Sequence, residues 1–242
     1  MWPSSIRYAN MIARPDAAKR PVWLFDLDNT LHDASKGIFA QIHRCMVQAI
    51  QELLQVDYDE ADRLRVLYWR RYGATLLGMV RHHGVCAHDF LHRAHDFDVA
   101  PYIHHEPGLA QALDRLIGQK IILTNAPLAY ARAVLNEVGI TKHFHSIMSV
   151  ESMQKALYFR PKPSLALMQQ VLAQLRLPAG QCIFIDDTLS NLKSAAQLGI
   201  KTIHFDHPDT AGNRHLRAKP PYVCMRVRSI RALSQRAHEL QG

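Results

Sequence analysis

Apolar residues follow two rhythms along this chain. Short strand-like apolar runs occur at 22–25, 120–123, 146–150, 182–185, 201–205 and 222–227. Runs of that length, rich in Ile, Val and Phe, predict buried strands. Between most of the later runs, apolar residues return every three or four positions, at 107–117, 127–138, 163–176 and 190–198. That is the spacing of one helix face. Strands alternating with helices of this length predict an α/β fold, a parallel sheet covered by helices on both faces. Ligands bind beyond the carboxyl ends of the strands in such sheets. Asp26, Thr124 and Asp186 each stand at that end of their runs.

The stretch 33–105 breaks the alternation and carries no convincing strand. Ile38, Phe39, Ile42, Met46, Ile50, Leu53 and Leu54 repeat as one helix face does, and Leu64, Leu67, Tyr68 and Tyr72 continue the habit on a second helix. A third helix is expected over 86–95, and Pro107-Gly108 marks the return to the strand-helix rhythm. The expected organisation is a flexible leader at 1–20, a core made of 21–32 and 106–242, and a helical insertion at 33–105.

Composition narrows the class. At 242 residues, 48% hydrophobic and 21% charged, the chain reads as a globular protein with a full core. No apolar run approaches the roughly 18 residues that span a bilayer, so no membrane partner is expected. Residues 1–20 have no apolar segment of signal-peptide type. Cys45, Cys86, Cys182 and Cys224 are scattered without a CxxC pair. A reducing cytoplasmic setting is expected from that usage. The formal charge of +8 is spread along the chain rather than clustered. It reads as a general field attracting anions, with no nucleic acid as partner.

The chemistry concentrates where the first run ends, in Val22-Trp23-Leu24-Phe25-Asp26-Leu27-Asp28-Asn29-Thr30-Leu31. Side chains alternate faces in a strand, so Asp26 and Asp28 start on one side. Two converging carboxylates repel, and a cation or shared proton chemistry makes the pair tolerable. Three further elements follow in order: Ile121-Ile122-Leu123-Thr124-Asn125, Arg160-Pro161-Lys162-Pro163, and Cys182-Ile183-Phe184-Ile185-Asp186-Asp187-Thr188-Leu189-Ser190-Asn191. Each alone has an ordinary explanation: a strand end, a loop lysine, a helix cap at Asp187.

Together they resemble the haloacid dehalogenase-like (HAD) phosphohydrolases, whose first motif is DxDx[TV]. The resemblance covers roughly residues 21–206. It implies a Rossmann-like core with an inserted helical cap at 33–105, and phosphoryl transfer with Mg²⁺ as cofactor. Asp26 would be the nucleophile, forming an aspartyl-phosphate, and Asp28 the general acid and base. Asp26, the Asp28 backbone carbonyl and Asp187 would hold the metal, with Asp186 either a ligand or an acid just outside it. Thr124 and Asn125 would hold phosphoryl oxygens, Lys162 would offset their charge, Asn29 would face the substrate, and Asn191 would orient Lys162 or its loop. The core alone leaves phosphatase and phosphomutase both open.

The cap carries a finer resemblance. Tyr68-Trp69-Arg70-Arg71-Tyr72-Gly73 followed by Leu77-Gly78-Met79-Val80 is similar to the pyrimidine 5′-nucleotidase group, where a Tyr-rich segment precedes a GL-type turn. It implies UMP or CMP as substrate, with Tyr68, Tyr72 and Arg71 contacting the nucleoside monophosphate. The simpler expectation is that Tyr68 and Tyr72, four apart, pack the cap. The alternatives are another small-molecule phosphatase, for phosphoglycolate or a sugar phosphate, and a silent phosphate-binding protein. His88, His92 and His95 share one helical face and are expected to be solvated rather than to hold zinc. The run Arg226, Arg228, Arg231, Arg236 reads as a last strand and helix. The sequence does not give the oligomeric state.

Overall fold

The computed structural model describes residues 20–155, 158–210 and 218–240. The leader therefore lies almost wholly outside the described residues. Strand β1 (Val22–Phe25) leads into four consecutive helices, α1 (Ile38–Leu54), α2 (Tyr58–Tyr72), α3 (Thr75–His83) and α4 (Ala87–Ala94). The chain then alternates: α5 (Leu109–Arg115), β2 (Gln119–Leu123), α6 (Leu128–Val138), β3 (Ser146–Met148), a two-residue hairpin of β4 (Gln154–Lys155) and β5 (Tyr158–Phe159), and α7 (Leu165–Leu175). It ends with β6 (Cys182–Asp186), α8 (Leu189–Ala196), β7 (Lys201–Phe205), β8 (Met225–Val227) and α9 (Ile230–Arg236).

Six strands form one parallel sheet in the order β3-β2-β1-β6-β7-β8. β1 lies between β2 and β6, with Leu24 level with both Ile121 and Phe184. Successive strands diverge from β1 to either side, which opens a crevice at its carboxyl end. Alternation splits the core into two layers. Trp23, Phe25, Ile122, Ile183 and Ile185 pack one face, and Val22, Leu24, Ile121, Leu123 and Phe184 pack the other. Both layers are apolar, so the central strands read as continuous runs rather than alternating ones.

The four helices between β1 and α5 bury a cluster of their own, built on Ile50, Leu64, Tyr68, Met79 and Phe90. Val150 and Phe159 from the segment after β3 join that cluster, which seats it over one flank of the sheet's carboxyl edge. The two chain crossings between insertion and core run side by side, with the Asp33 N–H donating to the His104 carbonyl at 2.7 Å. Residues 75–83 correct one expectation. The segment Leu77–Val80 is the interior of α3 rather than a turn. Gly78 is there because the Tyr68 ring lies against the helix: a Cβ on Gly78 would sit 2.0 Å from Tyr68 Cγ. Among the described residues no helix is long and apolar enough to cross a membrane.

Candidate active site

β1 delivers Asp26 to the crevice. Its backbone N–H still donates to Ile185 O at 2.9 Å, so pairing with β6 fixes the residue before the chain turns. The turn that follows is held by Asn29, whose backbone is left-handed (φ 59°) and whose Oδ1 accepts from the Ser35 N–H at 3.1 Å. Asn29 Nδ2 donates to Ser35 Oγ at 3.0 Å. The Thr30 hydroxyl returns to Asp26 Oδ2 at 3.2 Å. Asparagine tolerates this backbone and bonds it locally, which suits a strand that must stop abruptly.

Lys162 comes from the loop before α7. Its ammonium bridges Asp26 Oδ1 (2.6 Å) and Asp186 Oδ2 (2.7 Å), with its side chain 2% exposed. Asn125 sets the lysine backbone: Lys162 N–H donates to Asn125 Oδ1 at 2.9 Å, and Asn125 Nδ2 donates to Lys162 O at 3.1 Å. The Asn125 side chain is thus committed to the lysine loop. Asp186, at the end of β6, accepts from Lys162, from the Thr188 N–H (2.8 Å) and twice from Asn191 Nδ2 (2.9 and 3.0 Å). Each of its oxygens takes two donors, which fills a carboxylate's capacity. Asn191 therefore acts on Lys162 through Asp186. Asp187 accepts from the Thr188 hydroxyl at 3.1 Å and from the Thr210 hydroxyl. Thr124 is buried at the end of β2, with Oγ1 accepting from the Ala126 N–H at 3.0 Å.

Asp28 sits two residues on, in a different setting. Its Oδ1 accepts from the Tyr130 hydroxyl at 2.6 Å and meets His32 Nε2 at 2.8 Å. Among the described residues the buried His32 Nδ1 meets no partner, so the Nε2–H tautomer is the one that avoids a stranded donor.

The electrostatics separate these carboxyls. Burial, reinforced by Asp186 and Asp28, pushes Asp26 up to about 7 even against the pull of Lys162. Burial and the Asp26 charge push Asp187 up to about 6. Asp186 is also raised by burial, against Lys162. Burial would raise Asp28 too, but the His32 and Tyr130 hydrogen bonds outweigh it and hold it low. Burial opposes charge on Lys162, yet Asp186 and Asp26 outweigh it and hold its pKa above the usual lysine value. Buried carboxyls that retain protons near neutrality mark a site with more negative charge than one lysine balances. Asp26, Asp186 and Asp187 place one oxygen each within 4.8 Å of the others. An all-oxygen, anionic donor set fits a hard divalent cation such as Mg²⁺. A second group, Asp33, His207 and Asp209, reads differently. His207 Nδ1 accepts from the Asp209 N–H at 3.2 Å, which puts its proton on Nε2, and Nε2 faces Asp33 Oδ1 at 3.2 Å.

The sequence-expected core residues Asp26, Asp28, Thr124, Asn125, Lys162, Asp186, Asp187 and Asn191 thus gather at one carboxyl edge. Tyr68, Tyr72 and Arg71 do not join them through any contact among the described residues. Tyr68 OH pairs with His83 Nε2 and Tyr72 OH with His82 Nε2, each at 2.6 Å, and Arg71 lies over the Tyr72 ring at 5.5 Å. His88 and His92 are exposed on α4, whereas the His95 ring packs edge-on against Tyr130. Sequence reasoning missed Tyr130 and Thr210. Both reach the site from far along the chain, and no spacing rule points to either.

Known proteins bear on both fold and family. The structure of CbbY from Rhodobacter sphaeroides in complex with phosphate superposes with a TM-score of 0.61 at 18% identity, covering 88% of this chain and 96% of that one. A phosphoglycolate phosphatase from Pseudomonas fluorescens strain Pf-5 is 24% identical over 221 residues, 86% of this chain and 77% of its own. Another protein of that name from Mesorhizobium japonicum is 27% identical over 217 residues, 84% and 88%. These names match the small-molecule alternative rather than the nucleotidase expected from the cap. The family model of haloacid dehalogenase-like hydrolases matches residues 22–199, from the first residue of β1 to the loop before β7, and on that match the chain belongs to this family.

Proposed function

We propose that this chain is a Mg²⁺-dependent phosphomonoesterase acting through an aspartyl-phosphate on Asp26, on a small phosphate ester for which phosphoglycolate is the first candidate. The observation that carries the reading is the buried Asp26–Lys162–Asp186 chain with Asp28 two residues away. Asp26 and Asp187, with the Asp28 carbonyl, would hold the metal; the filled oxygens of Asp186 suit it better to holding Lys162. Bound Mg²⁺ supplies the charge neutralisation that lets a carboxylate approach a phosphate dianion. Asp26 attacks phosphorus while Asp28 gives its proton to the departing ester oxygen. Lys162 offsets charge on the phosphoryl group, and Thr124, at the end of β2, would hold one of its oxygens. Asp28 then takes a proton from the water that releases phosphate.

The phosphoglycolate choice follows the named relatives. The UMP and CMP reading keeps the Tyr68–Tyr72 pattern in its favour, but Tyr68 is buried against Gly78, which accounts for it as packing. The test is phosphate release with Mg²⁺ across phosphoglycolate, sugar phosphates, UMP and CMP, with Asp26→Asn and chelator controls. Preference for phosphoglycolate supports the reading. Preference for UMP or CMP reverses the substrate order and leaves the mechanism. Turnover by Asp26→Asn at the wild-type rate, or release from no ester, overturns it in favour of another nucleophile or a silent binder.

A further inference from the structure

We infer that Tyr130 is a positioning residue for the acid–base step: its hydroxyl, with His32, fixes Asp28 through Oδ1 and reserves Oδ2 for the travelling proton. The inference rests on the reading of Asp28 as general acid and base. Three observations carry it. The Tyr130 hydroxyl donates to Asp28 Oδ1 at 2.6 Å, the short distance of a charge-assisted bond. His32 meets the same oxygen at 2.8 Å, so both partners crowd one side of the carboxylate. Third, Tyr130 has little freedom to point elsewhere. It is buried in the first turn of α6, and its ring is flanked by His95 (5.2 Å between centroids) and Phe97 (6.4 Å). His95 is itself held by the Leu91 carbonyl at 3.0 Å. The start of α6 is fixed by Glu151, which accepts from the Leu128 N–H at 2.9 and 3.1 Å.

Two donors on Oδ1 favour the ionised form of Asp28, so when the group takes up a proton for the first step that proton goes to Oδ2, the oxygen these donors leave open. In the first step that proton passes from Oδ2 to the ester oxygen as the P–O bond breaks and the Asp26–phosphorus bond forms. In the second, water adds to phosphorus, its proton passes to Oδ2, and the Asp26–phosphorus bond breaks. Without Tyr130 the carboxylate can rotate, and the oxygen facing the ester is no longer fixed. Orientation of a reacting group by a neighbour changes rate without changing the chemistry.

The leaving group separates positioning from general damage. A good leaving group departs with little help from an acid, and a poor one needs it. Tyr130→Phe keeps the ring and the packing, and removes one oxygen. The experiment compares wild type, Tyr130→Phe, Asp28→Asn and Asp26→Asn, with Mg²⁺, on substituted phenyl phosphates from p-nitrophenyl to p-methoxyphenyl phosphate. The readout is kcat/KM against leaving-group pKa, with circular dichroism to check folding. Loss of one hydrogen bond to a charged group predicts about a tenfold drop on the poorest leaving group. The p-nitrophenyl ester should fall less than about threefold, giving a steeper plot than wild type. An equal loss on every ester would make Tyr130 a packing residue and overturn the inference. A wild-type slope in Asp28→Asn would instead remove the acid–base reading itself. Loss of turnover in Asp26→Asn with the Asp28→Asn slope unchanged would locate the failure there and not in the nucleophile.

Discussion

Lys162→Met is the perturbation whose cost the structure defines most closely. The ammonium lies 2.6 Å from Asp26 and 2.7 Å from Asp186, in a place where its side chain is 2% exposed. Methionine keeps the length and apolar stem but leaves two buried carboxyls without their cation. Removing one partner of a buried pair costs roughly 3–5 kcal/mol, mainly from the charge left behind. For a chain of this size each kcal/mol moves Tm by roughly 2–4 °C, so a fall of about 6–20 °C is expected at pH 8 without added metal. The sign of the pH effect follows from Asp26. In wild type its folded value is about 7 against 3.8 unfolded, so the folded state holds the extra proton between those values. This group's contribution to stability therefore falls as pH rises through that window. Removing the lysine raises the folded value further, and the loss should shrink at pH 5, where the carboxyls protonate. Thermal melts at both pH values give the numbers, and Lys162→Met with Asp186→Asn should recover part of the loss. A Tm within about 2 °C of wild type at pH 8 would refute the claim that this lysine is the balancing charge.

Four other outcomes are expected. Mg²⁺ at 100 times its dissociation constant should stabilise the fold by about 2.7 kcal/mol, read as a rise in Tm that EDTA reverses; no shift at any concentration would count against the carboxylate site. Asn191→Ala removes both of its bonds to Asp186 and should lower kcat about tenfold while costing about 1–2 kcal/mol in denaturant melts. Gly78→Ala drives a Cβ to within 2.0 Å of Tyr68 and should destabilise by about 1–3 kcal/mol, with kcat as wild type. Thiol titration of the native protein should label Cys86 and Cys224, which are exposed, and spare Cys182, which is buried with its thiol pushed up to about 11.

What the sequence disclosed follows from how local each signal is. The β7 strand was readable at 201–205 from its β-type residues Thr202, Ile203 and Phe205 and its place after a helical stretch, and the structure puts it at Lys201–Phe205. The run 222–227 promised a longer strand than β8. Cys224 N–H donates to Thr202 O, but Val223 N–H turns back to Pro220 O, and apolarity cannot tell which residues have a strand beside them. Helix α2 begins at Tyr58, before its apolar face does. Asp57 caps it by accepting from the Glu60 N–H at 2.9 Å, and Asp59 and Glu60 fill its first turn. A turn at Leu77–Val80 was expected from the nucleotidase resemblance, in which a GL-type turn follows the Tyr-rich segment; the structure has helix there. Gly78 makes room for a ring from another helix.

The candidate site divides along the same line. Asp26, Asp28, Asp186 and Asp187 were legible because each follows an apolar strand, and a charge at a strand end needs a reason. Their differences were not legible. Asp26 and Asp28 are two residues apart with the same side chain, yet one is pushed up to about 7 and the other is held low. The separation comes from Tyr130, 102 residues further on, and from His32, four residues on, both bonded to Asp28 alone. Asp26 instead shares its surroundings with Asp186, which the return of β6 beside β1 brings close. A cation held by Asp26 and Asp187 would favour the ionised form of Asp26 that attack on phosphorus needs, so the proposed roles rest on where the two carboxyls stand and not on these shifts. The difference in their surroundings is a property of the sheet order and of α6, which carries Tyr130 to Asp28, so a motif can name the pair but cannot tell its two members apart.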